Sequence, residues 1–153
     1  MKTLKLICVL TLCLFGIMYS QVDSEKEAIK KVLNEFYQAL IERNWDKYLD
    51  TWAHEPTAVR ISVDDNKTRE ILGWEKIEKY YKRWAALSPN PDNTEFEYKN
   101  FDIVVHQDEA WASFDNHEKD DKKRKIRELR RLVKRDGNWK ILTLIVITQE
   151  ETE

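Results

Sequence analysis

Disulfide chemistry has almost nothing to work with in this chain. Its 153 residues include two cysteines, Cys8 and Cys13, and both fall in an apolar opening stretch that reads as a removable leader. The rest is expected to stand on a hydrophobic core alone. Histidine is equally scarce: three residues, with no paired spacing, fall short of a metal ligand set. Three glycines and three prolines leave few places for long irregular loops. No nucleophile elbow, phosphate loop or zinc-protease motif is present, nor any internal repeat or low-complexity tract. No cofactor is called for by these residues.

What is present is globular in type. Hydrophobic residues make up 42% and charged residues 35%, with six Trp, six Tyr and five Phe, enough for one domain with a real core but not for two. Lys2 and Lys5 precede the apolar run Leu4 to Ile17, and Ser20-Gln21 then supplies a small residue before polarity rises. That layout is a secretory signal peptide over residues 1–20, so the expectation is an exported protein, periplasmic or secreted, with one domain over 21–153. Met18 stands where a second small residue is preferred. An uncleaved anchor is the alternative, although the run is short for a bilayer and stable insertion after cleavage is not expected. Leu12 before Cys13 is too bulky for a lipoprotein signal.

Without the leader, 24 bases face 28 acids, a net charge of −4. The segment His117 to Asp136 runs against that balance with ten Lys/Arg and five Asp/Glu, a local +5. A basic patch invites a nucleic-acid reading, or docking of an acidic partner. A solvated hairpin that discourages edge pairing is the simpler one, and no nucleic-acid motif accompanies the patch, so no nucleic-acid partner is expected.

Hydropathy periods give the element order. Ser24-Glu25-Lys26-Glu27 has the pattern of a capping box, and Ile29, Val32, Leu33, Phe36, Tyr37, Leu40 and Ile41 form one helical stripe. Asn44 can cap a short helix in which Trp45, Tyr48, Leu49 and Trp52 share a side, ended by Pro56. Thr57 to Val63 alternates as a strand, Asp64 to Lys67 is turn chemistry, and Thr68 to Leu72 returns. Trp74, Ile77, Tyr81 and Trp84 mark a third helix. Ser88 to Asn93 is a loop, and Thr94 to His106 is a strand bulged near Asn100. Three strands then meander from Glu109 to Thr148, the last two joined by Asp136-Gly137, a strong hairpin signal. Helices first and antiparallel strands last predict an α+β fold, with the helices on one face of a curved sheet.

Alternation also proposes a site. Trp111, Ser113, Asp115 and His117 face one way on one strand, and Ile126, Glu128, Arg130 and Leu132 face one way on the next. If both sets look under the helices, they form a polar floor with Trp111 as a wall. Asp115 and His117 would then be the candidate catalytic residues, a carboxylate beside a tunable imidazole. The opposite face, with Ala112, Phe114, Leu129 and Val133, is equally apolar and could be the buried one instead. Trp52, Trp74 and Tyr81 are candidate walls, though helical spacing makes them equally good core. His54 either overhangs a cleft mouth or meets a helix C-terminus. The strand Trp139 to Ile147 is apolar on both faces, which predicts a homodimer through the sheet. Asn66-Lys67-Thr68 is a glycosylation sequon, relevant in a eukaryotic source.

The helix AIKKVLNEFYQALIERNWDKYLDTW, the helix GWEKIEKYYKRW and the closing EAWASFDN…RELRRLVKRDGNWKI together resemble the nuclear-transport-factor-2-like superfamily. That is the cystatin-like, cone-shaped α+β fold shared with SnoaL-like polyketide cyclases and ketosteroid isomerases. The resemblance implies a cavity between helices and sheet, pairing through the sheet, and inward-facing Asp115, His117 and Arg130. The Asp, Tyr and protonated Asp of ketosteroid isomerase, a well-known example of tuned acidity, have no counterpart by motif here. The expected function is binding of a small, partly apolar molecule, with a cofactor-free isomerase, cyclase or dehydratase as the alternative.

Overall fold

The computed structural model describes the backbone of residues 2–64, 67–91, 95–119 and 124–150, and side chains from residue 22 onward except at positions 118 and 150. The leader's side chains, the sequon's Asn66 and part of the basic hairpin tip lie outside the described residues.

Helix α1 spans Lys2–Ile41, α2 Trp45–Asp50 and α3 Trp74–Leu87. Strands β1 (Val59–Asp64), β2 (Lys67–Leu72), β3 (Phe96–His106), β4 (Glu109–Glu118), β5 (Arg124–Arg135) and β6 (Asn138–Glu150) form one sheet in the order β2-β1-β6-β5-β4-β3. The architecture is the α+β one expected. One pairing was not legible in the sequence: β1 runs parallel to β6, with Arg60 beside Leu144, and joins the first hairpin to the last strand.

Local signals act where expected, with one exception. Asn44 accepts a hydrogen bond from the Lys47 amide at 3.2 Å and caps α2. Asp136 and Gly137 take φ values of 50° and 78°, the paired positive angles of a tight hairpin turn. At Asn100 (φ 54°) the β3–β4 register slips, which is the bulge. The exception is Ser24-Glu25-Lys26-Glu27. Because α1 is continuous through it, the segment starts no helix. Glu25 is used otherwise, accepting from Lys134 Nζ at 2.6 Å and Trp139 Nε1 at 2.7 Å. The helix is thereby tied to the β5–β6 hairpin, and both bonds hold the Glu25 carboxyl below its usual range.

The core lies between the helices and one face of the sheet. Ile29, Leu33 and Phe36 of α1, Tyr48 of α2, and Ile77 and Tyr81 of α3 meet Ala112, Phe114, Leu132, Ile141 and Leu144 from the strands, all buried. Each of the larger aliphatic and phenylalanine side chains contributes about 1.5–3 kcal/mol by leaving water.

Candidate functional site

The period of two along each strand decides which residues share the helix-covered face, and the register fixes it. Ala112 sits opposite Arg130, Phe114 opposite Glu128, and Asn116 opposite Ile126. The inner floor is therefore Ala110, Ala112, Phe114 and Asn116 of β4 with Ile126, Glu128, Arg130 and Leu132 of β5, all buried. Glu128 and Arg130 face inward as expected. Asp115 and His117 do not, which corrects the inward arrangement predicted for them.

The reason is packing. Phe114 is fully buried with its ring 6.4 Å from that of Tyr37 of α1, whereas Trp111, in phase with Asp115 and His117, stays 43% exposed. On the outer face Asp115 accepts from Asn100 Nδ2 at 2.6 Å and Arg127 Nη1 at 2.7 Å, and both hold its carboxyl low. His117 shares with it an outer groove of about 490 Å³, lined also by Lys125, Arg127, Ile147 and Gln149. The proposed acid–base pair thus faces away from the aromatic interior.

Inside, a carboxylate and a guanidinium are fully withdrawn from water. Arg130 is 0% and Glu128 3% exposed. Arg130 donates to Glu128 Oε2 from Nε at 3.1 Å and Nη2 at 2.6 Å. The other oxygen, Oε1, accepts from Asn116 Nδ2 at 3.0 Å and from the Tyr37 hydroxyl. Four donors thus occupy the carboxylate's acceptor positions. Burial still pushes Glu128 above the ordinary carboxylate range, because Arg130's charge and hydrogen bonds offset only part of the lost hydration.

The guanidinium also lies over rings, 3.9 Å from the Phe36 centroid, 4.8 Å from Tyr37 and 5.5 Å from Phe114. Among the described residues, three buried polar atoms of this interior have no hydrogen-bond partner: Arg130 Nη1, Asn116 Oδ1 and Trp52 Nε1. The Asn116 orientation is fixed by its neighbours, since a flipped amide would turn its oxygen onto the Glu128 carboxylate.

Aromatic side chains continue from this floor. Tyr37 packs 4.6 Å from half-buried Tyr98, Phe36 4.4 Å from Tyr48, and Tyr48 4.6 Å from Tyr81. Trp52 is buried among them, 6.2 Å from Tyr81. Burial raises the phenols of Tyr48 and Tyr81, the first well above its usual value, so both remain protonated donors. Trp74 lies apart from this set, stacked on His54 at 3.9 Å. His54 Nε2 meets the Leu49 carbonyl of α2 at 3.0 Å, the helix-terminus role.

Tyr37 and Asn116 were not picked out as site residues from the sequence. Tyr37 is indistinguishable from the core stripe of its helix. Asn116 carried a usable signal, as the polar residue in phase with Ala110, Ala112 and Phe114. Among the described residues no three metal-ligating side chains converge. A groove of about 700 Å³ between α1, α2 and the β5–β6 turn is lined by mixed charges such as Lys31, Glu35, Lys47 and Asp50, and its Lys140 already pairs with Asp50 at 3.2 Å.

Comparison with known proteins returns one family: a SnoaL-like domain matches residues 29–144. No curated protein matches the chain in sequence. Among solved structures, a cystatin-like fold protein from Burkholderia xenovorans superposes with a TM-score of 0.64 at 16% identity, covering 82% of this chain and 92% of its own. A nuclear-transport-factor-2-like protein of unknown function from Shewanella baltica gives 0.62 at 18%, covering 84% and 96%. A candidate ketosteroid isomerase from Parabacteroides distasonis gives 0.57 at 19%, covering 76% and 83%. At these identities the likeness is one of fold.

Proposed function

The chain belongs to the SnoaL-like domain family, and from that premise we propose that it binds a small, partly apolar molecule on the helix-covered face of its sheet. The observation that carries this is the trio of buried, unpartnered atoms, Arg130 Nη1, Trp52 Nε1 and Asn116 Oδ1. Leaving a buried polar atom unpaired costs about 1–3 kcal/mol. A ligand bearing an oxygen acceptor and a hydroxyl or amide donor recovers that cost, and because the rings of Phe36, Tyr48 and Phe114 close over these atoms, its entry requires the helices to shift on the floor. Glu128 already balances the charge of Arg130, so the group received there is an uncharged oxygen such as a ketone, lactone or amide carbonyl.

The test is a panel of ketones, lactones and amides, followed by intrinsic tryptophan fluorescence and melting temperature. At least one member is expected to raise the melting temperature and quench emission. Trp52→Phe, which keeps the ring and removes the N–H, should weaken that ligand roughly tenfold. A panel without any stabilising member would end this reading.

The enzymatic alternative named His117 and Asp115 as bases, and their outward direction gives it no support. His117→Ala is expected to leave ligand affinity unchanged. Export of the domain remains part of the proposal, to be checked by mass spectrometry of the N-terminus after expression with the leader.

Self-association through the outer face belongs to the same proposal. Val59, Ile61 and Val63 of β1 pair in register with Thr143, Ile145 and Ile147 of β6, and all six are half-buried on that side. Leu72 at 51%, Val104 at 60% and Trp111 at 43% exposure extend this apolar surface. Light scattering at micromolar concentration should give twice the chain mass, and Ile145→Glu should halve it. A monomeric wild type would refute the pairing.

A further inference from the structure

Four cations of β5 are met by carboxylates. Arg130 has Glu128 at 2.6 Å, Arg131 has Glu109 at 2.7 Å, Lys134 has Glu25 at 2.6 Å, and Arg135 has Glu55 at 2.6 Å. Arg60 of β1 is built differently. Its side chain points to the helix-covered face, half-buried, yet among the described residues no carboxylate pairs with it. Its partners are neutral: Nε donates to the Tyr81 hydroxyl at 3.0 Å and Nη1 to Ser62 Oγ at 3.2 Å. The Tyr80 ring lies 4.8 Å and the Tyr81 ring 5.8 Å from its central carbon. A guanidinium carries five N–H donors, so these two hydrogen bonds leave Nη2 and one proton of Nη1 for another acceptor.

Position adds to this. Arg60 is in register with Leu144, and Leu144 with Arg130. Ser62, Val146 and Glu128 form the adjacent row. Two strand spacings, about 10 Å, therefore separate the balanced arginine from the unbalanced one. Between them the floor is Leu144 and Val146, with Tyr81 packed on Tyr48 above. Arg60, Ser62, Tyr80 and Val146 are all half-buried, so this end meets solvent whereas the Arg130 end does not.

We propose that Arg60 receives the carboxylate of an amphipathic monoacid, whose apolar body lies at the half-buried end against Tyr80 and Val146. One anionic charge matches one guanidinium that lacks its own, and a carboxylate fits the planar fork of its remaining N–H groups. The inference rests on the concave-face binding proposed above and names the charge of the ligand at its outer end. Residues at that end then have distinct tasks. Arg60 selects an acid, and half-buried Tyr80 and Val146 accept the body.

The experiment compares 4-phenylbutanoate with 4-phenylbutanamide, which differ at one terminal group, by calorimetry on the full chain. The wild type is expected to bind the acid about tenfold more tightly than the amide. Arg60→Gln should erase that preference by weakening the acid alone, and Arg60→Lys should restore part of it. Equal affinity of the two probes for the wild type overturns the role of Arg60 and leaves concave-face binding intact. An equal loss for both probes in Arg60→Gln, with circular dichroism unchanged, also overturns it, since the arginine then shapes the surface only. Binding of neither probe to the wild type overturns the role of Arg60, while the ketone, lactone and amide panel decides concave-face binding separately.

Discussion

Arg130→Met is expected to lower unfolding stability by about 3–5 kcal/mol, seen as a large fall in the urea midpoint. The methionine fills much of the same volume, so the loss comes from what it leaves behind. Glu128 would keep the Tyr37 and Asn116 hydrogen bonds but lose both guanidinium donors while 3% exposed. An isolated carboxylate in that setting is far costlier than the pair it came from. Adding Glu128→Gln removes the stranded charge, keeps an acceptor for Tyr37 and Asn116, and should recover roughly half of the loss.

Acidity gives a second readout with a definite sign. Burial already raises Glu128, and Arg130 is what pulls it down. Without Arg130 the folded-state value rises further above the unfolded one. A carboxyl raised in the folded state binds its proton more tightly there. Its contribution to stability is complete below the unfolded value and is lost as pH climbs through the folded value. The gap between Arg130→Met and wild type should therefore narrow on going from about pH 7 to about pH 5. A gap independent of pH would show that packing, not the stranded charge, causes the loss.

The other large effect separates two tryptophans that look alike in sequence. Trp52→Ala should cost about 3–5 kcal/mol, because Trp52 is 1% exposed and packs against Phe36 and Tyr81 at 6.4 and 6.2 Å. Trp111→Ala should change the stability of the single chain by no more than about 1 kcal/mol, since 43% of that residue is exposed. Its effect is expected in self-association instead, where it removes part of the outer apolar surface. Calorimetric melting in dilute solution measures the first effect, and sedimentation at rising concentration the second. A large stability loss in Trp111→Ala would mean that the two faces of β4 have been exchanged.

That contrast also explains how far the sequence could be read. Local chemistry spoke clearly: the stripe from Ile29 to Ile41, the Asn44 cap, the Asp136-Gly137 turn and the slip at Asn100 are each set by neighbouring residues. Facing was less legible: on β5, Ile126 and Leu132 beside Glu128 and Arg130 competed with Leu129 and Val133 on the other side. On β4 both faces carry one large aromatic, Trp111 or Phe114, and alternation alone is symmetrical. What broke the tie was the packing of Phe114 against Tyr37 and Tyr98, a tertiary effect. Arg60 likewise drew no attention as one of several alternating residues, because its missing partner is visible only once β1 lies beside β6. The clamp at Glu25 was misread for a related reason, as its partners, Lys134 and Trp139, stand more than a hundred positions away.

The parallel seam between β1 and β6 has a consequence for synthesis. The first hairpin and the later meander share no edge until the final strand slots between them. A chain in which Asn138–Glu150 has not yet emerged would hold two half-sheets that share no edge, so closure must wait for β6. Truncation within β6 should accordingly yield proteolytically sensitive fragments, not a smaller stable domain.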